Sequence, residues 1–552
     1  MSLAVAKSNL EMSLRIEVID FKKRPTCPSC KNPMTICSHS TPSKVIGLGG
    51  SYYTKYREYS CSNHRCPKFN SGKYRASNSW RIDRHKYDLK VESKITRLRF
   101  KEKKTYLEIK ETLQNLYNIK ISQRTIGNII SRYEIACKLD QERENSSKRK
   151  KTNEIFVSID TMSPIKGEEK HIVAMDNYTN RTLLVETVKS ENTENHIEFQ
   201  RKLKKRISRN NTKLLGFMSD DHIAQRKAIK FVWGDKVKHC RCLFHFEKRI
   251  MLEPFKLNRK LKTKAKAQIR KIHYVYYFRQ DKLTKIKDSP ISDYLFEIIK
   301  DLVLLQTWKN KRNDTKLESI DFYERLIDIK DLLIELKEFT LTTPESSYKK
   351  EKRMLHILLR DINQILNDYH DDFKTLQRIK SYQNDLRLIF EAHTESSQEG
   401  FKKLLNYTEM LEEKLKSGKI SSKEEQKYIE ALYTFVYDRG KSLFHYRDIK
   451  NASNTNNAQE TKFKSIKHNI KRTQGSTVGG RYLQRHAKYQ LYVDPNATRD
   501  KIYQILLNAD YKAINEIMKE DRKKYKRKLS KIKNEKQWSE RIAHLKDKIR
   551  KI

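Results

Sequence analysis

At 552 residues the chain has room for three or four domains of about 150 residues each. With 37% hydrophobic and 10% aromatic residues it can bury a sizeable core. Its 118 Lys and Arg against 69 Asp and Glu leave a net charge of +49, an imbalance that says nothing about fold but points to a polyanionic partner. No stretch reaches the ~18 consecutive apolar residues of a spanning helix, which argues against a membrane protein. The start, MSLAVAKSNLEMSLRIEV, is interrupted by charges, which argues against a signal peptide. Thiols are therefore expected free or metal-bound in a reducing compartment, cytoplasmic or associated with the nucleoid.

Residues 20–75 hold the cysteines Cys27, Cys30, Cys37, Cys61 and Cys66, five of the eight in the chain. Cys27-Pro-Ser-Cys30 is a CxxC knuckle, and Cys61-Ser-Asn-His-Arg-Cys66 follows about thirty residues later. Two such knuckles brought together give four soft ligands in a tetrahedron, the donor set of structural Zn²⁺. Clustered thiolates repel without a cation, so the metal is expected to be a folding requirement of a zinc-ribbon-like module. His64 in place of Cys66, and Cys37 or His39 as spare ligands, stay open. A redox CxxC is the rival, but no βαβ pattern surrounds it. Lys55, Arg57, Arg65 and Lys68 offer cations to a DNA backbone.

Residues 85–140 read as a helix-turn-helix DNA-binding domain. Thr105–Leu116 has helical spacing with Leu107, Leu113 and Leu116 as expected core. Ser122 is a good N-cap for a second helix over 123–134 that buries Ile126, Ile129, Ile130 and Tyr133. The other face presents Gln123, Arg124, Asn128 and Arg132, side chains able to pair with guanine or adenine edges in the major groove. A plain helical pair would look similar.

Residues 150–250 alternate strand and helix. Ile155–Asp160 is a β-rich run ending in an acid. Lys170–Asp176 and Thr182–Val188 are strand-like, Glu194–Arg206 is helical, and Lys213–Ser219 is apolar and runs into Asp220-Asp221. Three strands, a helix, a fourth strand and a helix is the order of a ribonuclease-H-like sheet. There the first and fourth strands are neighbours, which would bring Asp160 beside Asp220. Two carboxylates that close stay ionised only with cations between them. A pair of Mg²⁺ (or Mn²⁺) ions about 3.5–4 Å apart would do this and would clamp a phosphate for in-line displacement.

Residues 251–450 are helical in pattern, with core stripes at Leu326, Ile329, Leu332, Leu333 and Leu336 and at Leu355, Leu358, Leu359, Ile362, Ile365 and Leu366. Residues 451–492 supply a candidate third carboxylate, Glu460. Lys464, Lys467 and Lys471 fall on its helical face, and Phe463, Ile466 and Ile470 form the adjacent apolar stripe. Residues 493–552 read as a basic helical tail. From Asp521 onward it carries 14 Lys and Arg against 4 Asp and Glu, fitting an arm on phosphates or a solvated helix.

Taken together, the strand Asp160, Ser219-Asp220 followed by Ala228–Trp233 and Cys242-Leu-Phe-His245, and Asn456-Asn-Ala-Gln-Glu460 beyond a long helical segment resemble a DDE transposase of the Mutator-like superfamily, which includes related bacterial and archaeal insertion-sequence enzymes. The resemblance spans roughly residues 150–490. It implies that Asp160, Asp220 and Glu460 bind two divalent cations and that the C-x2-H pair Cys242/His245 supports the site. That pair could bind zinc with Cys240 or His239, contact DNA, or simply pack. The doublet Asp220-Asp221 leaves the second ligand ambiguous, and Asp220 is favoured by its place after Ser219.

The fold expected is thus multidomain α+β: a zinc-ribbon-like module, a helix-turn-helix, a ribonuclease-H-like domain interrupted by an all-α insertion, and a basic tail. The function implied is recognition of terminal repeats on double-stranded DNA, cleavage that exposes a 3′-hydroxyl, and attack of that hydroxyl on target DNA, by a homodimer or larger assembly. The alternatives are a transposase-derived DNA-binding regulator and another ribonuclease-H-like nuclease.

Overall fold

The computed structural model describes residues 16–550 apart from 77–81, 83–84, 148–153, 166–167, 210–211, 221, 284–288, 310–315, 343–347, 393–395 and 534. The chain is a mixed α+β protein in which helix predominates, with two mixed sheets. Among the described residues no helix is long and apolar enough to cross a membrane.

The first sheet is built around a long strand, β4 (Gly50–Ser60). It pairs in parallel with β1 (Ile16–Ile19) and antiparallel with β2 (Thr35–His39), β3 (Ser43–Gly47) and β5 (Tyr74–Arg75). Three helices follow: α1 (Leu89–Phe100), α2 (Tyr106–Tyr117) and α3 (Gln123–Ser147). Thr105 and Glu108 form a capping box at the start of α2. Its end is closed by Asn118 in the left-handed region (φ 49°), while the Ile119 N–H returns to the Leu113 carbonyl. Ser122 accepts the Thr125 N–H and starts α3. Ile126, Ile129, Ile130 and Tyr133 are buried as the periodicity predicts. Leu107 and Leu116 are not: they are 50% and 67% exposed, because the inward face of α2 is taken by Ile109 and Leu113. The helix α3 also runs far past the predicted end, to Ser147.

The second sheet comprises β6 (Glu154–Met162), β7 (Lys170–Asp176), β8 (Thr182–Val188), β9 (Lys213–Ser219) and β10 (Lys238–Arg241), in the order β10-β9-β6-β7-β8. The first and fourth strands, β6 and β9, are parallel neighbours, and β7 and β8 continue antiparallel. The fifth strand, β10, is too short and polar to have been read from sequence. Between these strands lie α4 (Thr193–Arg209) and α5 (Ile223–Trp233). Odd-numbered side chains of β6 (Ile155, Val157, Ile159) pack under Phe199, Leu203 and Ile229 of these helices. Even-numbered ones face the other way, where Phe156 joins the core of α6 (Leu243–Ile250) and Met162 meets the C-terminal helices.

Helices Leu252–Lys271, His273–Arg279, Pro290–Thr307, Glu318–Leu341, Lys349–Asp368, His370–Glu391, Ser397–Lys416 and Lys423–Arg439 (α7–α14) share one apolar core that includes both predicted leucine stripes except Leu332, which is 48% exposed, and the half-buried Leu336 packed against it. The chain then returns to the sheet in α15 (Asn457–Gln474) and α16 (Ser476–Gln490), and ends in α17 (Arg499–Leu507), α18 (Tyr511–Lys533) and α19 (Glu535–Arg550). The first part of the tail is docked: Ile502 and Leu506 of α17 are buried against Leu89, Tyr133 and Cys137, and Ile514 of α18 against Ile135 and Ala136.

Candidate active site and metal centre

In the first sheet, Cys27 and Cys30 flank a tight turn in which the Lys31 N–H bonds the Cys27 carbonyl and Lys31 takes a left-handed conformation (φ 60°). Cys61 follows the end of β4, and Cys66 sits in the turn after it. The Cys27–Cys66 and Cys30–Cys61 sulfurs are 3.8 and 3.6 Å apart, and all four lie within 4.8 Å of one another. Tetrahedral Zn–S bonds of ~2.3 Å require sulfur–sulfur edges of roughly 3.8 Å. The four cysteines are therefore positioned to hold a metal ion, and the set suits structural zinc. The backbone N–H of Cys30 pulls the Cys27 thiol down to about 6. The Asn63 amide favours the Cys61 thiolate, yet burial and the neighbouring sulfurs push Cys61 up to about 12. The spare candidates fall outside the cluster: His64 packs at a tilt against Phe69, Cys37 bonds the Glu58 carbonyl from an exposed position, and His39 is exposed. Of the nearby cations, Arg57 is paired with Asp20.

In the second sheet, Ile159 of β6 is paired with Ser219 of β9, so Asp160 and Asp220 continue side by side from that pair. Asp160 is not the end of its strand as its run predicts; β6 continues to Met162. Glu460 lies in the first turn of α15, which docks on the same face of β6 through Phe463, Ile466 and Ile470 against Met162, Val173 and Met175. The Gln459 side-chain amide ties that turn down by donating to the Val173 carbonyl at 3.0 Å. Burial, the charge of Asp220 and the charge of Glu460 together push the Asp160 carboxyl up to about 7, against the Thr161 N–H that bonds it. Asp160 therefore stands within the field of both other carboxylates. The oxygens of the three do not all lie within 4.8 Å, since the four cysteines are the one such group of three or more potential ligands among the described residues. Glu460 Oε1 is buried with no hydrogen-bond donor. Asp221 lies outside the described residues.

Cys242 and His245 have separate physical roles. The Cys242 sulfur is buried and accepts the Asn456 N–H at 3.3 Å, at the entry to α15, while the Cys242 N–H bonds the Ser219 carbonyl next to Asp220. His245 Nε2 stands 3.5 Å from Glu460 Oε1. Cys240 is buried, and His239 Nε2 lies 2.7 Å from the Ser219 hydroxyl. No group of three metal-ligand atoms forms around Cys242 among the described residues.

Lys464, Lys467 and Lys471 are exposed along α15 beyond Glu460, with Lys464 Nζ 3.2 Å from Glu460 Oε2. On α3, Gln123 and Arg124 are exposed at the N-terminus. Asn128 is half-buried and receives Arg522 from α18 at 3.5 Å. Arg132 departs from the expectation: its guanidinium is held 2.9 Å from the fully buried Glu92 of α1, leaving its side chain 13% exposed. Two groups went unread in the sequence. Glu191, bonded by Lys170 and the Thr161 hydroxyl, adds its charge to the field at Asp160. Lys462, two residues past Glu460, donates to the Thr182 hydroxyl at 3.1 Å, and burial lowers its pKa to about 8. Neither belongs to a spaced motif, so nothing in the sequence marked them.

No protein-family model and no curated protein matches the chain.

Proposed function

We propose that the chain is a DDE-type transposase resembling the Mutator-like superfamily, with a ribonuclease-H-like catalytic domain, a zinc-ribbon-like module and a helix-turn-helix that reads the element ends. The observation that carries this reading is the meeting of Asp160, Asp220 and Glu460 across nearly 300 residues of sequence, close enough for two of them to raise the pKa of the third. Half-buried carboxylates, two of which raise the third, and a Glu460 oxygen that accepts no hydrogen bond fit divalent cations with hard ligand preferences. Two Mg²⁺ or Mn²⁺ ions held by these residues would supply charge neutralisation at a scissile phosphate and activation of the attacking oxygen.

The chain's own residues do the rest. Cys242 fixes the start of α15 and His245 orients the Glu460 carboxylate, so both are positioning residues. Lys464, Lys467 and Lys471 hold the adjoining DNA phosphates, and Gln123 and Arg124 meet base edges. The net charge of +49 supplies the long-range attraction to double-stranded DNA. Joining two element ends requires two active sites, hence a homodimer or larger assembly.

The test is a strand-transfer assay with labelled DNA carrying the repeats that flank the coding sequence, in Mg²⁺ or EDTA. Metal-dependent joined products are expected, falling about 10³-fold or more in Glu460→Gln if that ligand contributes several kcal/mol at the transition state. Cleavage without joining would favour another nuclease. Binding without cleavage in any metal would favour a regulator, and cleavage surviving Glu460→Gln would remove Glu460 from the site.

A further inference from the structure

The helix that carries Gln123 and Arg124 does not stop where a recognition helix needs to. It continues as one 25-residue rod to Ser147, and from Glu134 onward it is bonded to the part of the chain that carries the carboxylates. Glu134 is the centre of the junction. It is fully buried and accepts from Tyr482 (3.3 Å) and Gln490 (2.9 Å), with His486 Nδ1 at 2.9 Å from its other oxygen. All three partners lie on one face of α16, at spacings of four residues. The neighbouring face of α16, through Leu483 and Ala487, is packed with Phe463, Ile466 and Ile470 of α15 against Met162, Val173 and Met175 of the sheet. Further along α3, Gln141 donates to the Tyr492 carbonyl at 2.7 Å and Arg143 to the Asn508 carbonyl at 2.9 Å. Glu142 meets Arg206 of α4 at 3.4 Å.

We infer that α3 is a ruler: it fixes the catalytic carboxylates at one distance and rotation from the bases its N-terminus reads, with Glu134 as the positioning residue that locks the setting. The inference rests on the proposed DNA reading by α3. An α-helix is stiff and rises 1.5 Å per residue, so Gln123 stands only about 16 Å from Glu134, with no flexible joint between. A hinge there would have to leave a buried carboxylate without its donors, a cost proteins avoid. The consequence is that the DNA contacted beside the active site is set by counting from the recognised sequence, not by the sequence at the contact itself.

The experiment uses the full chain with a benzophenone photo-crosslinker at Arg124 or at Lys464, on two DNAs. In one the recognised end is native; in the other about 5 base pairs, half a helical turn, are inserted inside it before the cut point. Crosslinks from both positions at the same separation on both DNAs are expected. A Lys464 crosslink that stays with the original junction sequence, so that the separation changes with the insert, overturns the ruler while leaving DNA recognition intact. An Arg124 crosslink without any Lys464 crosslink also overturns it, since the rod then does not present that DNA to its own active site. Loss of the Arg124 crosslink removes recognition by α3 and the ruler with it. Glu134→Ala is expected to keep the Arg124 crosslink sharp and to scatter the Lys464 crosslink over several positions. A Lys464 crosslink as sharp as wild type clears Glu134 of the role. Should Glu134→Ala not fold, His486→Ala removes a half-buried partner of the same carboxylate and is read in the same way.

Discussion

Withdrawing the metal from Cys27, Cys30, Cys61 and Cys66, by chelation or by Cys61→Ser, should unfold part of the first sheet and leave a defined remainder. The local core consists mainly of the cysteines, with Met34 and Tyr59 as the other buried side chains and Phe21 and Tyr74 half-buried beside them. Two fully buried side chains of this kind contribute roughly 5 kcal/mol together. Structural zinc in small domains contributes about 10–16 kcal/mol near pH 7, so the cation outweighs the apolar contacts about two- to threefold. The other end of the same sheet is held differently. The Ile46 N–H bonds the Lys86 carbonyl (2.8 Å), the Asp88 N–H bonds the Ile46 carbonyl (3.1 Å), and Ile46 and Leu48 pack on Tyr87 and Val91. Hydrogen exchange read by mass spectrometry should therefore show loss of protection at Tyr56–Ser60 of β4 on chelation, with Ser51–Thr54 retained. Unchanged exchange at Tyr56–Ser60, or a folded chain carrying less than one zinc, would refute the metal's structural role.

The two arginines of α3 should separate function from stability. Arg124→Ala is expected to weaken DNA binding by about 1–3 kcal/mol with the melting temperature unchanged, if it reads a base edge. Arg132→Ala should instead destabilise the fold by about 3 kcal/mol, because Glu92 is left buried with, among the described residues, His85 as its other ion-pair partner. The calorimetric melts and the binding isotherms of the two variants decide this. His245→Ala should lower metal affinity and strand transfer together by about 10–100-fold, since it acts through Glu460 rather than on substrate; a kcat loss at unchanged metal dependence would contradict that role. Burial, with nearby positive charge, lowers both His171 and His196 to about 4. Each is neutral in the fold while the unfolded chain takes up a proton below about 6.5, so stability is full above that pH and falls as pH drops towards 4. At pH 5 the loss is about 2 kcal/mol per histidine, visible as a lower melting temperature, and His196→Gln should flatten part of the slope.

Much of the candidate site was legible in the chain itself. Asp160 and Asp220 stand at or just past apolar β-runs whose order, by its likeness to a known kind of sheet, leads one to expect neighbours, and β6 and β9 are parallel neighbours. Cys27, Cys30, Cys61 and Cys66 were marked by spacing, and the face of α15 by its period: Phe463, Ile466 and Ile470 in, Lys464, Lys467 and Lys471 out. These are local regularities, written by backbone geometry that repeats every two or 3.6 residues.

What only the tertiary structure decided concerns what stands opposite each side chain. Arg132 has the type and spacing of a base-reading residue, yet Glu92, on a different helix, claims it. Leu107 and Leu116 have the period of a core stripe, but α2 meets its neighbours through Ile109 and Leu113 and leaves them in solvent. Glu191 reaches the field of Asp160 from a loop with no motif, and the segment that leads into the charged tail is docked by Ile502, Leu506 and Ile514. Glu134 ends the helix that the periodicity predicts and stands mid-way along the observed one, and its three partners are some 350 residues away. Periodicity states how polar a face is; burial and charge pairing depend on the surface brought against it, and that is set by how the whole chain packs.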